Sequence, residues 1–399
     1  MTHAAEDLGP GPAPVDVLGR LDDATRLAGR PGPAAVIGDW LGHAAVIAPS
    51  IRLDAGVAPP DRPRGWWFGH VSFPDRVAEA ALPAAVGGVT DGVLVHDGDR
   101  WAYRTITGAP CPDWIRTCLT AIPAADPPRP WTTSWTAPPR EPHDEAIDAC
   151  LAAIRAGEVY QACVCTRYRG DLRGAAIDVA RTGIAALAPR KAAFLSGAWG
   201  SVVSFSPETF LRRTGEDVVS SPIKGTVPAS SDPAALLTSV KDVAENIMIV
   251  DLVRNDLGRV AVAGSVTVPE LLVTRPAPGV WHLVSSVAAR VTSAVGTTQL
   301  LDATFPPGSV TGAPKVRARE LLRRWETDAR GVYCGAIGVV APDGDLDLNV
   351  AIRTVEIAPD NSMQLGVGGG ITIDSDPDRE WQECLDKAAS IIGLRHIGG

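Results

Sequence analysis

Lysine is scarce in this sequence. Five of its 37 basic residues are lysine (Lys191, Lys224, Lys241, Lys315 and Lys387), and the rest are arginine. Long apolar runs are absent, so no segment reaches the roughly 20 residues that a membrane-spanning helix needs. The N-terminus, MTHAAEDLGPGPAPVD, lacks the apolar core of a secretion signal. A basic surplus is missing too: the net charge of −9 leaves no broad footprint for nucleic acid. The seven cysteines are odd in number and contain no C-x-x-C pair, which argues against a disulfide framework or a zinc site. The expectation is a soluble, cytoplasmic protein with reduced, mostly buried thiols.

What is present is a globular composition, 45% apolar over 399 residues, enough for one large domain or two ordinary ones. Seven prolines between Pro123 and Pro142 mark an extended connector. They divide an N-terminal part, 1–135, expected to pack into the same fold, from a second part, 140–399, the candidate catalytic domain. The first part carries short apolar runs that read as strands, and Trp40, Trp66 and Trp67 read as packing residues. In the second part, Ile147, Leu151 and Ile154 share one face of a helix over 143–156, stopped by Gly157. VYQACVCTRYRG reads as a strand and KAAFLSGAWGSVVSFSPETFLRR as two strands around a turn. A helix is expected over 232–253, a hairpin turning at PDGD, and a last helix from Asp376 to Ile392 with Pro377 in its first turn. The fold class is α+β or mixed α/β, with layered sheets and helices outside.

Candidate chemistry lies in the second part. Asp242 and Glu245 are three apart on one helix, and Glu380 and Glu383 on another, so each pair shares a face. Val243, Ile247 and Val250, and Trp381, Leu385 and Ile392, would form the opposite faces. Either acidic pair alone reads as a solvated surface. Converging, they would repel unless a cation lay between them, and an all-oxygen site of this kind suits Mg²⁺. Two glycine-rich stretches read as turns able to approach an anion. GVGGG, 366–370, lacks the third glycine of a dinucleotide fingerprint, and GSVTGAPK, 308–315, lacks the Walker ending. Arg353 reads as lying inside an apolar strand, NVAIRTVEI, on one face with Asn349 and Ala351, and needs an anionic partner, either a structural carboxylate or a bound one. Lys224, in PIKGT, is an amine where the chain otherwise prefers guanidinium. Only an amine can be desolvated toward neutrality and attack carbon.

Together these segments resemble the chorismate-utilising enzymes: anthranilate synthase large subunits, aminodeoxychorismate synthase component I, and isochorismate and salicylate synthases. The blocks that carry the resemblance are GEVYQ, SFSPETFLR, PIKGT, KDVAENIMIVDLVRNDLGRV, FPPGSVTGAPKVRA, RGVYCGAIG, LNVAIRT, GVGGGITIDSDPDREWQE and a closing KA. They run from about Gly157 to the C-terminus. The water-using branches carry a lysine base where this chain has Gln161. Anthranilate synthases have alanine where it has Lys224, and the LLES stretch tied to their feedback control is missing from the N-terminal part. The pattern is similar to aminodeoxychorismate synthase component I.

That resemblance implies a mechanism. Lys224 adds to chorismate at C2, Glu208 protonates the departing C4 hydroxyl, and ammonia displaces the lysine at C4. Glu245 and Glu383 match metal ligands for Mg²⁺, with Asp242 and Glu380 beside them. Asp242 departs from the usual glutamate. Tyr333 and Arg353 would take the enolpyruvyl carboxylate, Gly368, Gly369 and Gly370 the ring carboxylate, and His282, Ser309 and Gln161 match pocket positions. No G-x-C-x-G elbow is present, so ammonia from glutamine implies a separate glutaminase subunit. A downstream lyase would give 4-aminobenzoate, for folate or a secondary metabolite. The rivals are anthranilate synthase component I and a non-catalytic chorismate-binding subunit.

Overall fold

The computed structural model describes residues 4–120 and 127–396. Two large sheets form its frame, one of 12 strands and one of 10, and the pairings are antiparallel. Strands from the two halves of the chain alternate within both. In the first sheet Ala34–Trp40 pairs with Lys191–Gly197, and in the second Trp66–Val71 pairs with Ala336–Val340.

Side chains alternate between faces along a strand, and here both faces of each sheet are covered. Trp66 and Phe68 point into the space between the sheets, where they meet Val36, Trp40, Leu195 and Ile337. Trp67 points the other way, into a core with Ile249, Val253 and Leu257 of an outer helix. On the first sheet's outer face, Ile37, Phe194 and Phe205 pack under Leu18, Ile184 and Ile391 of three helices. The order of layers is therefore helix, sheet, sheet, helix, as layered packing requires. The four helix-and-sheet layers match the expected class.

Several local expectations change. Part of the proline-rich connector, 123–126, lies outside the described residues. Within the rest, Thr132–Thr136 forms a strand beside Gln161–Arg173, between prolines on either side. The stretch 191–214 makes three strands, not two. The helix placed over 232–253 is broken at Ser239. Ala234–Thr238 precedes it, and Val240–Gly258 begins afresh with the Ser239 hydroxyl accepting from the Asp242 amide. The last helix, Pro377–Ile392, starts where expected, capped by Asp376. Its buried stripe is Glu380, Cys384, Ala388 and Ile391, one residue round from the Trp381, Leu385, Ile392 face. On the first acidic helix Ile247 is exposed, and Glu245 lies on the buried side with Asn246, Ile249, Val250 and Val253. Neither acidic pair is a plain solvated face, because each helix sends one glutamate inward at the head of its apolar stripe.

Candidate active site

The glycines 366–370 are not a turn. They lie inside the strand Ser362–Ile371, paired with Gln161–Arg173 so that Cys163 faces Gly370 and Cys165 faces Gly368. Small residues are required because side chains press on the strand. A carbon added to Gly366 would sit 2.2 Å from the Tyr333 ring, and one on Gly370 would sit 3.0 Å from Glu245 Oε1 and 3.1 Å from Lys224 Nζ. Lys387 donates to the Gly368 carbonyl at 2.7 Å. In a strand the amides of residues two apart share an edge, so Gly368 and Gly370 present theirs to this open edge. Gly369 turns back into the ladder.

Lys224 reaches the same place from the second sheet. Its strand, Ile223–Pro228, pairs with Val280–Arg290, and the register slips between Ile223–Val284 and Thr226–His282. One extra residue is accommodated there as a bulge, a device that re-aims a side chain. Gly225 takes φ +85°, a backbone conformation open to glycine. The result is a lysine 11% exposed, its amine 3.8 Å from Glu245 Oε2. Burial is the largest influence and disfavours the charge, but Glu245, Cys163 and Glu208 together hold the amine above its ordinary pKa. This corrects the idea of an amine neutralised by desolvation: resting Lys224 is an ammonium.

The two acidic helices do converge, on Gly369 and Gly370. Glu380 Oε2 lies 3.0 Å and Glu383 Oε1 3.8 Å from a carbon built on Gly369. The cations between them are lysines: Lys241 pairs with Glu380 at 2.5 Å, Lys387 with Glu383 at 2.7 Å, and Lys224 with Glu245. Repulsion alone therefore does not demand a metal. Among the described residues no three ligand-type side chains form a ready-made metal cluster. Two carboxylate oxygens, Glu245 Oε1 and Glu380 Oε2, are nonetheless buried without partners. That donor set fits a hard cation that takes one or two carboxylates and completes its shell with water and substrate oxygens. Glu383 is half-exposed at the mouth. The Asp242 carboxyl carbon packs 3.1 Å from the position of a Gly225 side chain, on the far side of the bulge.

Glu208 is 3% exposed, just before the strand Thr209–Thr214. Burial pushes its carboxyl up to about 7, against the opposing pulls of Ser309 and Lys224. A carboxyl poised near neutrality can both give and take a proton.

Arg353 is not inside a strand. It occupies the break between Leu346–Val350 and Thr354–Ile357, where the chain crosses from the second sheet to the first, with φ +51°. A non-glycine residue held there is strained by about 1–3 kcal/mol, a cost typical of functional sites. Burial lowers the Arg353 pKa, and Glu208 opposes that shift. Among the described residues its guanidinium has no ion-pair partner. His282 is buried; burial, then Arg353, depress its pKa to about 4, so the ring is neutral. Its Nδ1 lies 2.9 Å from the Thr226 hydroxyl, and its Nε2 has no partner. Gln161 opens the strand Gln161–Arg173, 2% exposed, with Oε1 unpartnered. Tyr333 stacks on Gly366, and burial, then Cys165 and Cys334, raise its hydroxyl pKa well above the usual value.

Lys241 and Lys387 were not singled out from the sequence, although the scarcity that marked Lys224 applies equally to them. All five lysines pair with a carboxylate, Lys191 with Asp347 and Lys315 with Asp256 completing the set. A second omission is Arg330. It grips Glu326 through two hydrogen bonds and donates to the carbonyls of Val310 and Cys163, tying the Ser309 segment to the glycine-facing strand. Only its i, i+4 spacing from Glu326 hinted at this pair.

The chorismate binding enzyme family model matches residues 105–393. The chain is 38% identical to aminodeoxychorismate synthase component 1 of Salmonella typhimurium over 80% of its own length and 72% of that protein's. It is 40% identical to the same component of Escherichia coli over 66% of its length and 58% of that protein's. Anthranilate synthase component 1 of Neisseria meningitidis is 40% identical over a shorter stretch, 48% of this chain and 40% of that one. The fold is that of the menaquinone-specific isochorismate synthase of Escherichia coli, with a TM-score of 0.73 at 18% identity over 98% of this chain and 94% of that one. With a family match that spans both glutamate helices, the glycine strand and the Lys224 bulge, the chain belongs to the chorismate-binding enzymes.

Proposed function

We propose that the protein aminates chorismate at C4, giving 4-amino-4-deoxychorismate and water, with ammonia from a separate glutaminase subunit. The observation that carries this reading is a buried primary amine on a bulge, facing the glycine strand and electrostatically coupled to a carboxyl poised near neutrality. Relatives named as component 1 support a partner component.

The resting pair is an ammonium at Lys224 and, at neutral pH, a partly ionised Glu208. Transfer of one proton from Lys224 to Glu208 creates the neutral nucleophile and the acid together. The amine then bonds to C2, both ring double bonds shift, and the C4–O bond breaks as Glu208 protonates the oxygen. Water leaves. Ammonia bonds to C4, both double bonds shift back, the C2–N bond breaks, and the surplus proton on nitrogen passes to Glu208. Hydroxide is a poor leaving group, so the acid is needed. Arg353 offers a planar fork for one substrate carboxylate, and the open-edge amides of Gly368 and Gly370 face the other. Neutral His282 and Gln161 add hydrogen-bonding capacity at the wall, with Tyr333 behind Gly366. Glu245 and Glu380, with Glu383 at the mouth, would hold Mg²⁺, which would neutralise the glutamates and bind a substrate carboxylate.

The test is product analysis with chorismate, Mg²⁺ and ammonium, with and without an aminodeoxychorismate lyase. The reading expects 4-aminobenzoate only when lyase is added. Fluorescent anthranilate without lyase would replace it with the C2 reaction. Binding of chorismate with no turnover would leave a non-catalytic subunit.

A further inference from the structure

Behind Glu208 lies a cavity with about 10 Å³ of free space for the centre of a water-sized molecule. That is room for a single water or ammonia and far too small for a ring substrate. Ser220, Asp256 and Ser309 line it together with Phe210 and Val253. Lys224, Arg353, His282 and the glycine strand do not line it, so it is separate from the space those groups face. Glu208 links the two, since it lines the cavity and is electrostatically coupled to Lys224 and Arg353. Ser309 is held there by its neighbour Val310, whose carbonyl accepts from buried Arg330 at 2.6 Å.

We infer that this cavity is the exchange pocket for the small reactant: it receives the water released from C4 and presents ammonia to the same carbon. The inference rests on the amination reading and assigns its nitrogen donor a place. Two facts of chemistry direct it there. Water departs from, and ammonia arrives at, one carbon, and both transfers pass a proton through one carboxyl. A pocket adjoining that carboxyl serves both without the substrate having to move. Ammonia must also arrive uncharged, since ammonium has no lone pair. Glu208, as carboxylate in the cavity wall, accepts the surplus proton once the C4–N bond has formed. The proton that left with water is thereby returned, and the reaction balances as chorismate plus ammonia giving aminodeoxychorismate plus water.

The experiment changes the cavity's volume and reads the nitrogen donor. Ser220→Val fills it, and Val253→Ala enlarges it. With saturating chorismate and Mg²⁺, Ser220→Val is expected to raise the KM for ammonium by roughly tenfold or more while the KM for chorismate stays put. Val253→Ala is expected to accept methylamine and yield the N-methyl product by mass spectrometry, which the unmodified protein does not make. An unmoved ammonium KM in folded Ser220→Val, or equal use of methylamine by both proteins, overturns the inference and reduces the cavity to a structural void. Should Ser220→Val fail to fold, the methylamine result for Val253→Ala decides alone. If the unmodified protein makes no aminodeoxychorismate from ammonium, the amination reading falls and this inference falls with it.

Discussion

Lys224 and Glu208 give the residue scale its sharpest consequence. If the reactive state needs one proton shared between them, the fully protonated pair found below about pH 7 is silent. The kcat/KM for chorismate should therefore rise as pH increases through about 7, and the apparent value belongs to the pair. Glu208→Gln should remove that limb and lower kcat roughly 10²- to 10⁴-fold. A rate that falls through the same range would contradict the proton-sharing scheme. Stability carries the opposite slope. Glu208 is raised in the folded state, so the unfolded chain holds fewer protons between about 4.5 and 7, and stability is lost as pH rises through that window. Chemical denaturation at pH 5 and 7.5 should show a smaller difference for Glu208→Gln than for the unmodified protein. Residue identities were the most legible part of the site, since lysine in an arginine-rich chain and glutamates three apart are visible in the letters. The charge state was not legible: whether burial or the charged neighbours win at Lys224 depends on distances such as the 3.8 Å to Glu245, which comes from a separate helix.

At the scale of elements, the site is made where regular structure is interrupted. The bulge at Lys224–Gly225, the sheet-to-sheet crossing at Arg353 and the break at Ser239 each redirect the chain. Those interruptions were the least legible features. Glycine in isolation signals a turn, and the run 366–370 reads as one in the sequence. It is strand because neighbouring strands pair with it and because Tyr333 and Glu245 need the space. Arg353 was placed on a strand face by alternation, which cannot see a crossing. Gly370→Ala should crowd the ends of the Glu245 and Lys224 side chains and lower turnover while leaving the fold intact by circular dichroism. Normal activity in that variant would mean the glycine strand is no part of the site. The meeting of the two glutamate helices makes a separate claim. Millimolar Mg²⁺ should raise the thermal midpoint of the unmodified protein, and Glu245→Gln or Glu380→Gln should abolish that rise. An equal rise in both variants would place the cation elsewhere.

The whole molecule depends on two sheets holding register against each other, with the site built from both. Among the buried links that span them, Lys191 in the first sheet bonds Asp347 in the second at 2.6 Å, both fully buried, with the ammonium over the Trp40 ring. Asp347 also accepts from Arg212 and from the Leu41 amide. Asp347→Ala leaves that lysine uncompensated and should cost about 3–5 kcal/mol by denaturant titration. A loss below about 1 kcal/mol, the scale of a surface pair, would mean the link carries little. The layered class and several elements of the second part, the first and last helices among them, could be read from periodicity, since alternation and helical spacing are local. The interleaving of N-terminal strands into both sheets could not, because strand partners such as Trp66–Val71 and Ala336–Val340 are set by packing, not by sequence spacing. The account as a whole turns on a covalent bond at one amine. Its most direct measurement is mass spectrometry of the protein quenched during exposure to chorismate and Mg²⁺ without any ammonia source, followed by mapping of the modified peptide. A chorismate-minus-water increment on Lys224, discharged when ammonium is added, is the predicted result. Undiminished aminodeoxychorismate synthesis by Lys224→Ala, with no such increment in the unmodified protein, would contradict it.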